Sequence, residues 1–173
     1  MLEGVKMEKG GIADMSVTQY KLFAPNLISI CIDSNGDGDY QGCIWQQYDQ
    51  EPVTFDSMID MIIQMDKLFD EWGFPQAAMK TRSFVNEVSA PKKVNILDKS
   101  KKVEKLDVQG KNGKCGTFIV HVKFRQNASW QGEVVWKEQN KREHFRSVLE
   151  LIKMIDSALE WTFEKEDKKT TVS

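Results

Sequence analysis

The sequence predicts an α+β fold made by internal duplication of a β-β-β-α unit. Three observations support this prediction: similar residues recur 90 positions apart without a gap, apolar residues alternate in both copies, and each copy closes with a capped amphipathic helix. We expect an antiparallel sheet with the helices packed on one face, related by a pseudo-twofold axis.

The repeat consists of identical residues and matched apolar positions. Tyr40, Gln41 and Gly42 correspond to Trp130, Gln131 and Gly132. The other matches at this offset are Phe55 with Phe145, Ser57 with Ser147, Ile62 with Ile152, and Asp66 with Asp156.

Three strands are predicted in each copy. Ile28, Ile30 and Ile32 alternate with residues of the opposite strand face, as do Phe118, Val120 and Val122, which is typical of strands with one face in the core. A polar loop leads to a second strand, near 41–48 and 131–138. After a turn, a short third strand ends at Phe55 and at Phe145.

A helix then begins in each copy with a capping-box pattern. Ser57 and Asp60, like Ser147 and Glu150, place a hydroxyl acceptor three residues before a carboxylate that can reach back to the serine N–H. Gly73 ends the first helix. Spacings of three and four define the expected buried stripes: Met58, Ile59, Ile62, Met65, Leu68, Phe69 and Trp72, then Val148, Leu149, Ile152, Ile155 and Leu159.

Charge and composition divide the chain further. Residues 1–75 contain 4 basic and 13 acidic side chains, a net charge of −9, whereas residues 76–116 contain 10 basic and 4 acidic ones, a net charge of +6. We predict a first repeat over 16–88, a lysine-rich linker over 89–115, a second repeat over 116–163, and polar tails at 1–15 and 164–173. An edge strand over 17–23 is a further possibility.

Composition also limits the class of protein. No apolar run is long enough to cross a bilayer, and the polar N-terminus does not resemble a signal peptide, so we expect a cytoplasmic protein. Cys31, Cys43 and Cys115 lack metal-type spacing and are interpreted as reduced thiols. No cofactor is predicted.

A calcium site is the sharpest motif-based hypothesis. Asp33, Asn35, Asp37 and Asp39 fit the opening of an EF-hand loop. The twelfth position, however, is Ile44, where such a loop needs a bidentate glutamate, and the matching loop over 123–129 has no carboxylate. A hairpin loop is therefore favoured over a calcium site.

Two aromatic residues suggest a surface that binds a ligand or a partner. Tyr40 and Trp130 could stack a base or sugar, although packing of both rings in the core is favoured. Arginines near Trp130 could add a polyanion site. The full hypothetical surface is Tyr40, Gln41, Trp45, Trp130, Gln131, Arg125 and Arg146.

Two residue pairs are expected to face each other across neighbouring strands. They are Cys31 with Cys43, and His121 with Glu133. A histidine beside a carboxylate can act in acid–base catalysis, but no nucleophile stands at an informative spacing, so a surface cross-strand pair is favoured. No catalytic residue is assigned.

The blocks FRQNASWQG and FRSVLELIKMIDSAL, which begin at Phe124 and Phe145, resemble a group of short uncharacterised bacterial proteins. The segment from Asp37 to Gln76 is similar to the longer members of that group. The resemblance implies no activity, cofactor or catalytic residue.

Three functions are left open by the sequence. The favoured one is a non-catalytic interaction module that binds a protein partner or self-associates, based on the lack of a catalytic constellation and on apolar residues of the outer strand faces (Trp45, Ile119, Val135). One alternative is binding of nucleic acid or nucleotide through residues 92–114 and the arginines of the second copy. The other is a calcium-binding or enzymatic protein.

Overall fold

A computed structural model describes residues 20–36, 39–78, 82, 84, 106–126 and 129–170, with side chains up to residue 168. The elements are β1 (Ile28–Gly36), β2 (Asp39–Gln46), β3 (Val53–Phe55), α1 (Met58–Trp72), β4 (Gly116–Phe124), β5 (Gln131–Trp136), β6 (Lys141–Phe145) and α2 (Val148–Thr170), with short 3₁₀ turns at Val108–Gly110 and Lys137–Gln139.

The six strands form one antiparallel sheet in the order β3-β2-β1-β4-β5-β6. The strand-strand-strand-helix arrangement appears twice, once as β1-β2-β3-α1 and once as β4-β5-β6-α2. Both helices pack against the same face, because their buried side chains share one core with the inward residues of both units. The α+β prediction is confirmed.

The strand register has the expected pseudo-twofold symmetry. Ile28 pairs with Val120 and Ile30 with Phe118. Replacing each residue of one pair by its counterpart 90 positions away produces the other pair, so the axis passes through the pair Ser29–Ile119. The two hairpins obey the same offset, and their bulges fall at matched places, after Ile32 and after Val122.

The matched glycines lie beside these bulges. A Cβ atom on Gly42 would collide with the carbonyl oxygen of Cys31, and one on Gly132 would collide with that of His121. Glycine is therefore required where the neighbouring strand approaches most closely.

Both helices have the predicted N-caps. The Ser57 Oγ accepts from the Asp60 N–H at 3.0 Å, and the Ser147 Oγ accepts from the Glu150 N–H at 3.1 Å. The carboxylates, however, accept from the N–H of Asp56 and of Arg146, one residue before the expected serines. Each carboxylate thus reaches past the cap and binds the N–H of the residue that precedes it.

The helices end differently. Gly73 adopts a left-handed conformation (φ 65°) and terminates α1. The matched position is Phe163, which permits helix to continue, so α2 runs to Thr170 through residues assigned to a polar tail.

The buried helical stripe also differs from prediction. Ile59 and Leu149 are 70% and 60% exposed, whereas Met61 and Leu151, which the predicted stripe omitted, are completely buried. Ile59 and Ile63 belong to a second ridge, one residue further around the helix, which faces solvent.

The outer face of the sheet is covered by the chain itself. Leu22, Leu27 and Val108 form a second apolar cluster with Ile119 and Val135, which are only 2% and 1% exposed. The prediction of an apolar outer face available to a partner is therefore wrong at these two residues. The covering residues come from segments 20–27 and 106–115.

A side-chain amide joins the two covering segments. Gln109 accepts from the Leu22 N–H at 3.1 Å and donates to the Leu22 carbonyl oxygen at 3.0 Å, so residues 20–23 are held without forming a strand. Residues 106–115 thus pack although they were assigned to the linker, and 89–105 lie outside the described residues. Within the described part of the chain, no helix is long and apolar enough to span a membrane.

Candidate functional site

Tyr40 and Trp130 lie in the core, where each contacts the helix of the other unit. The Tyr40 hydroxyl donates to Asp156 Oδ1 in α2 at 3.1 Å, and the Trp130 ring meets Phe69 of α1 edge to face at 5.4 Å. Burial raises the pKa of Tyr40 to about 12, and the hydrogen bond to the Asp156 carboxylate contributes to the same direction. Neither ring has a face free to stack a ligand.

Arg125 is an internal side chain and not part of a polyanion surface. It is 5% exposed, its guanidinium pairs with Asp66 and Asp70 at 2.7 Å each, and its Nε donates to the Pro75 carbonyl oxygen at 2.8 Å. The expectation that it contacts a polyanion is wrong, because its donors are used by α1 and the loop that follows.

The other hypothetical surface residues are dispersed. Arg146 is exposed and pairs with Glu150 at 3.2 Å. Gln41 and Gln131 are exposed, and Gln41 accepts from the Ser34 hydroxyl. Trp45 lies on the outer face with the Lys111 ammonium 3.9 Å above its ring. The structure does not bring these residues into one site.

The proposed calcium residues occupy a β-hairpin. Gly36 pairs with Asp39 and Asn35 with Tyr40, so the strands continue into the segment expected to be a loop. Asp39 Oδ1 accepts from the N–H groups of Tyr40 and Met58 and thereby caps α1. Asp33 accepts from the Lys114 N–H. Asp37 lies outside the described residues, and among the described ones no group of three or more acidic, histidine or cysteine side chains could hold a metal ion.

Both predicted cross-strand pairs are in register. Cys31 lies opposite Cys43, and burial raises the pKa of the Cys31 thiol to about 12, which disfavours the reactive thiolate.

His121 lies opposite Glu133, which is buried and forms ion pairs with Lys123 and Arg142. Burial lowers the pKa of His121, and the nearby Lys123 charge adds to this effect. The Glu133 carboxylate thus neutralises two cations, which indicates a structural role and not one in acid–base catalysis.

A cavity of about 290 Å³ opens between α2 and the strands of the second unit. Two tryptophans form much of its wall: the rings of Trp136 and Trp161 meet edge to face at 5.3 Å, and Phe118 stacks on Trp136 at 6.5 Å. Among the described residues, the lining consists of Phe118, Val134, Trp136, Lys141, Glu143, Met154, Ser157, Ala158 and Trp161. We call this cavity the second-unit pocket.

The two units differ in the residues around this place. In the first unit Tyr48 and Trp72 are buried and contact each other edge to face at 5.5 Å. Their matched residues, Glu138 and Thr162, are not among the lining residues of the second-unit pocket, whereas Ala158, which is matched to Leu68, lines it. The pocket walls Trp136 and Trp161 stand where the first unit has Gln46 and Glu71.

The mouth of the pocket carries charges that the described residues leave unpaired. Lys141 and Glu143 are exposed alternate residues of the edge strand β6, and neither side chain has an ion pair or hydrogen bond within the described part of the chain. The Lys165 ammonium lies 3.7 Å from the Trp161 ring. An aromatic cavity with a few polar groups is the usual form of a binding site.

Sequence reasoning missed this pocket. Trp136 and Trp161 were not selected, because single aromatic residues at helical or strand spacing indicate core. A signal was nevertheless present in the comparison of the two units, where tryptophan replaces Gln46 and Glu71 while Tyr48 and Trp72 are lost.

Searches for related proteins supply no further assignment: no family model, curated protein or solved structure matches the chain.

Proposed function

We propose that this protein is a non-catalytic interaction module in which the second-unit pocket receives a side chain of a protein partner. One observation carries the proposal: the second unit has an open pocket walled by Trp136 and Trp161, at positions where the first unit has Gln46 and Glu71. The first unit and the shared sheet then serve as the rigid support for that pocket.

The size and lining of the pocket suit an anchoring side chain. A volume of about 290 Å³ is at the lower end of ligand pockets, which typically begin near ~300 Å³. Aromatic walls and the adaptable Met154 side chain resemble the central part of a protein interface, where a few anchors supply most of the binding free energy.

The pocket replaces the outer sheet face as the basis for partner binding, since Ile119 and Val135 are covered. The polyanion alternative loses Arg125, and its lysine-rich segment over 92–105 lies outside the described residues. We further propose that the repeat arose by duplication and that the protein resides in the cytoplasm, a location that suits its three free cysteines.

The test is to fill the pocket with the residue that the first unit uses. Ala158→Leu adds apolar volume at the position matched to Leu68, so we expect it to fold with unchanged or higher thermal stability. Wild-type protein should retain a partner, or form an oligomer by light scattering, and A158L should lose it at least about tenfold, which corresponds to ~1.4 kcal/mol.

Glu160→Leu is the matched control, because it adds the same side chain to an exposed position of α2 that does not line the pocket. The control should bind as wild type does. Equal binding by wild type and A158L, with both folded, would contradict the proposal.

A further inference from the structure

We propose that the second-unit pocket binds an aromatic residue at the free C-terminus of a partner protein, an inference that rests on the proposed function. The ring enters the pocket, the terminal carboxylate pairs with Lys141, and the backbone N–H of the terminal residue donates to Glu143. The class of ligand is thus an aromatic side chain carried beside a carboxylate.

The wall of the pocket selects a ring. Trp136 and Trp161 stand nearly perpendicular to each other, with an interplanar angle of 86°, so a third ring can contact the face of one and the edge of the other. Met154 supplies a thioether, which makes favourable contacts with aromatic rings. The positions are held by packing, since Phe118 beneath Trp136 is buried.

The mouth of the pocket selects a carboxylate. The side chain of Lys141 has no ion-pair partner among the described residues, so its ammonium is available to an anionic group at the mouth of the pocket. Glu143, the one acid among the described lining residues, is likewise available to an N–H donor, so the lining offers one cation and one anion to a ligand. An internal aromatic residue of a partner would leave Lys141 unmatched.

Spacing supports two separate polar contacts. Lys141 and Glu143 lie on the same side of β6 and are about 6.6 Å apart along the strand. The terminal carboxylate and the N–H of the same residue point in different directions, so one residue can engage both side chains.

These charges accompany the pocket and are not a property of the repeat. The residues of the first unit matched to Lys141 and Glu143 are Glu51 and Val53. The pocket, the ammonium and the carboxylate therefore occur together in one unit, as expected of a site that recognises a single ligand.

The experiment uses acetyl-Gly-Gly-Phe as the probe and follows the five tryptophan indole N–H resonances of the full chain by NMR. Trp136→Phe and Trp161→Phe assign the two pocket resonances. We expect the peptide to change the chemical shifts of the Trp136 and Trp161 resonances. The amidated peptide and acetyl-Gly-Phe-Gly should bind at least tenfold more weakly, since the former lacks a carboxylate and the latter moves it.

Variants separate the ring contact from the charge contact. Lys141→Ala should weaken acetyl-Gly-Gly-Phe to the level of its amide and leave binding of the amide unchanged. Ala158→Leu should abolish binding of both peptides, and Glu160→Leu should leave both as in wild type.

Several results would overturn the inference. The inference is wrong if the acid and the amide bind equally well, or if Lys141→Ala weakens both equally. It is also wrong if free phenylalanine binds as tightly as the peptide. If no probe binds while a partner is still lost in A158L, the C-terminal inference is wrong and the proposed function stands. If no probe binds and A158L changes no interaction, both are wrong.

Discussion

At the scale of single residues, burial of a charge depends on partners that lie far away in the chain. Arg125 stands near Trp130 in sequence and was interpreted as a surface charge. In the structure it crosses to α1 and pairs with Asp66 and Asp70, with its guanidinium 5.6 Å from the Phe69 ring. Sequence separations of 59 and 55 residues make these two contacts invisible to local patterns.

Arg125→Ala should lower the free energy of unfolding by about 2–3 kcal/mol. The variant removes two charge-assisted hydrogen bonds and leaves the Pro75 carbonyl oxygen without its donor. Urea unfolding followed by circular dichroism measures the change.

Arg146→Ala is the control for this measurement, because its ion pair with Glu150 is exposed to solvent and such pairs contribute little to stability. A loss for Arg125→Ala no larger than that of the control would show that the buried arginine is not a structural link.

At the scale of elements, the parts that follow from local chemistry were predictable. Alternation located β1 and β4, and the Ser-x-x-acid pattern located both helix starts. The exposed positions of Ile59 and Leu149 were not predictable, since adjacent ridges of a helix are equally apolar here and packing chooses between them. The same holds for segments 20–27 and 106–115, because their few apolar residues are buried by contact with the sheet that they cover.

The hypothetical site residues show the same difference between what local sequence predicts and what long-range contacts determine. Tyr40 and Trp130 were correctly matched to each other, but their roles depend on contacts with the opposite helix. The pocket depends on residues in which the second unit differs from the first, namely Trp136, Ala158 and Trp161. A single copy of the unit would give no sign of that difference, which only a comparison of the two copies reveals.

Ser57→Ala and Ser147→Ala should each lower the free energy of unfolding by about 1 kcal/mol. Each removes the acceptor for one helical N–H, at 3.0 Å from Asp60 and 3.1 Å from Glu150. Equal losses are expected, since the two caps are alike. Urea unfolding supplies the values.

Ser157→Ala provides the comparison for the cap variants. This serine is exposed in the middle of α2, and its hydroxyl donates to the Met154 carbonyl oxygen of the preceding turn. Alanine favours helix there, so stability should stay unchanged or rise by a few tenths of a kcal/mol. Losses at Ser57 and Ser147 as small as this would argue against capping.

At the scale of the whole molecule, the two units are joined by side-chain contacts as well as by the sheet that they share. The β1–β4 pairing lies at the centre, Tyr40 bonds to α2, and Trp130 and Arg125 contact α1. Each unit thus supplies side chains that complete the core of the other. Such mutual burial should make folding a single cooperative transition.

A change in one unit should therefore destabilise both. Phe145 is buried in the second unit, and Phe145→Ala should lower the free energy of unfolding by about 3–5 kcal/mol. The indole N–H resonances of Trp72 and Trp161 report on the first and second units separately during urea unfolding. Both should disappear with one shared midpoint, lower than in wild type.

Phe124→Ala is the control, because that ring is half exposed and its removal should shift the shared midpoint much less. If Phe145→Ala does not fold, Phe145→Leu keeps most of the buried volume and preserves the comparison. Independent units would respond differently: the Trp161 signal would be lost at low urea while Trp72 kept its wild-type midpoint. A shared shift instead follows from the central β1–β4 pairing, because neither half can leave the sheet without exposing the core of the other.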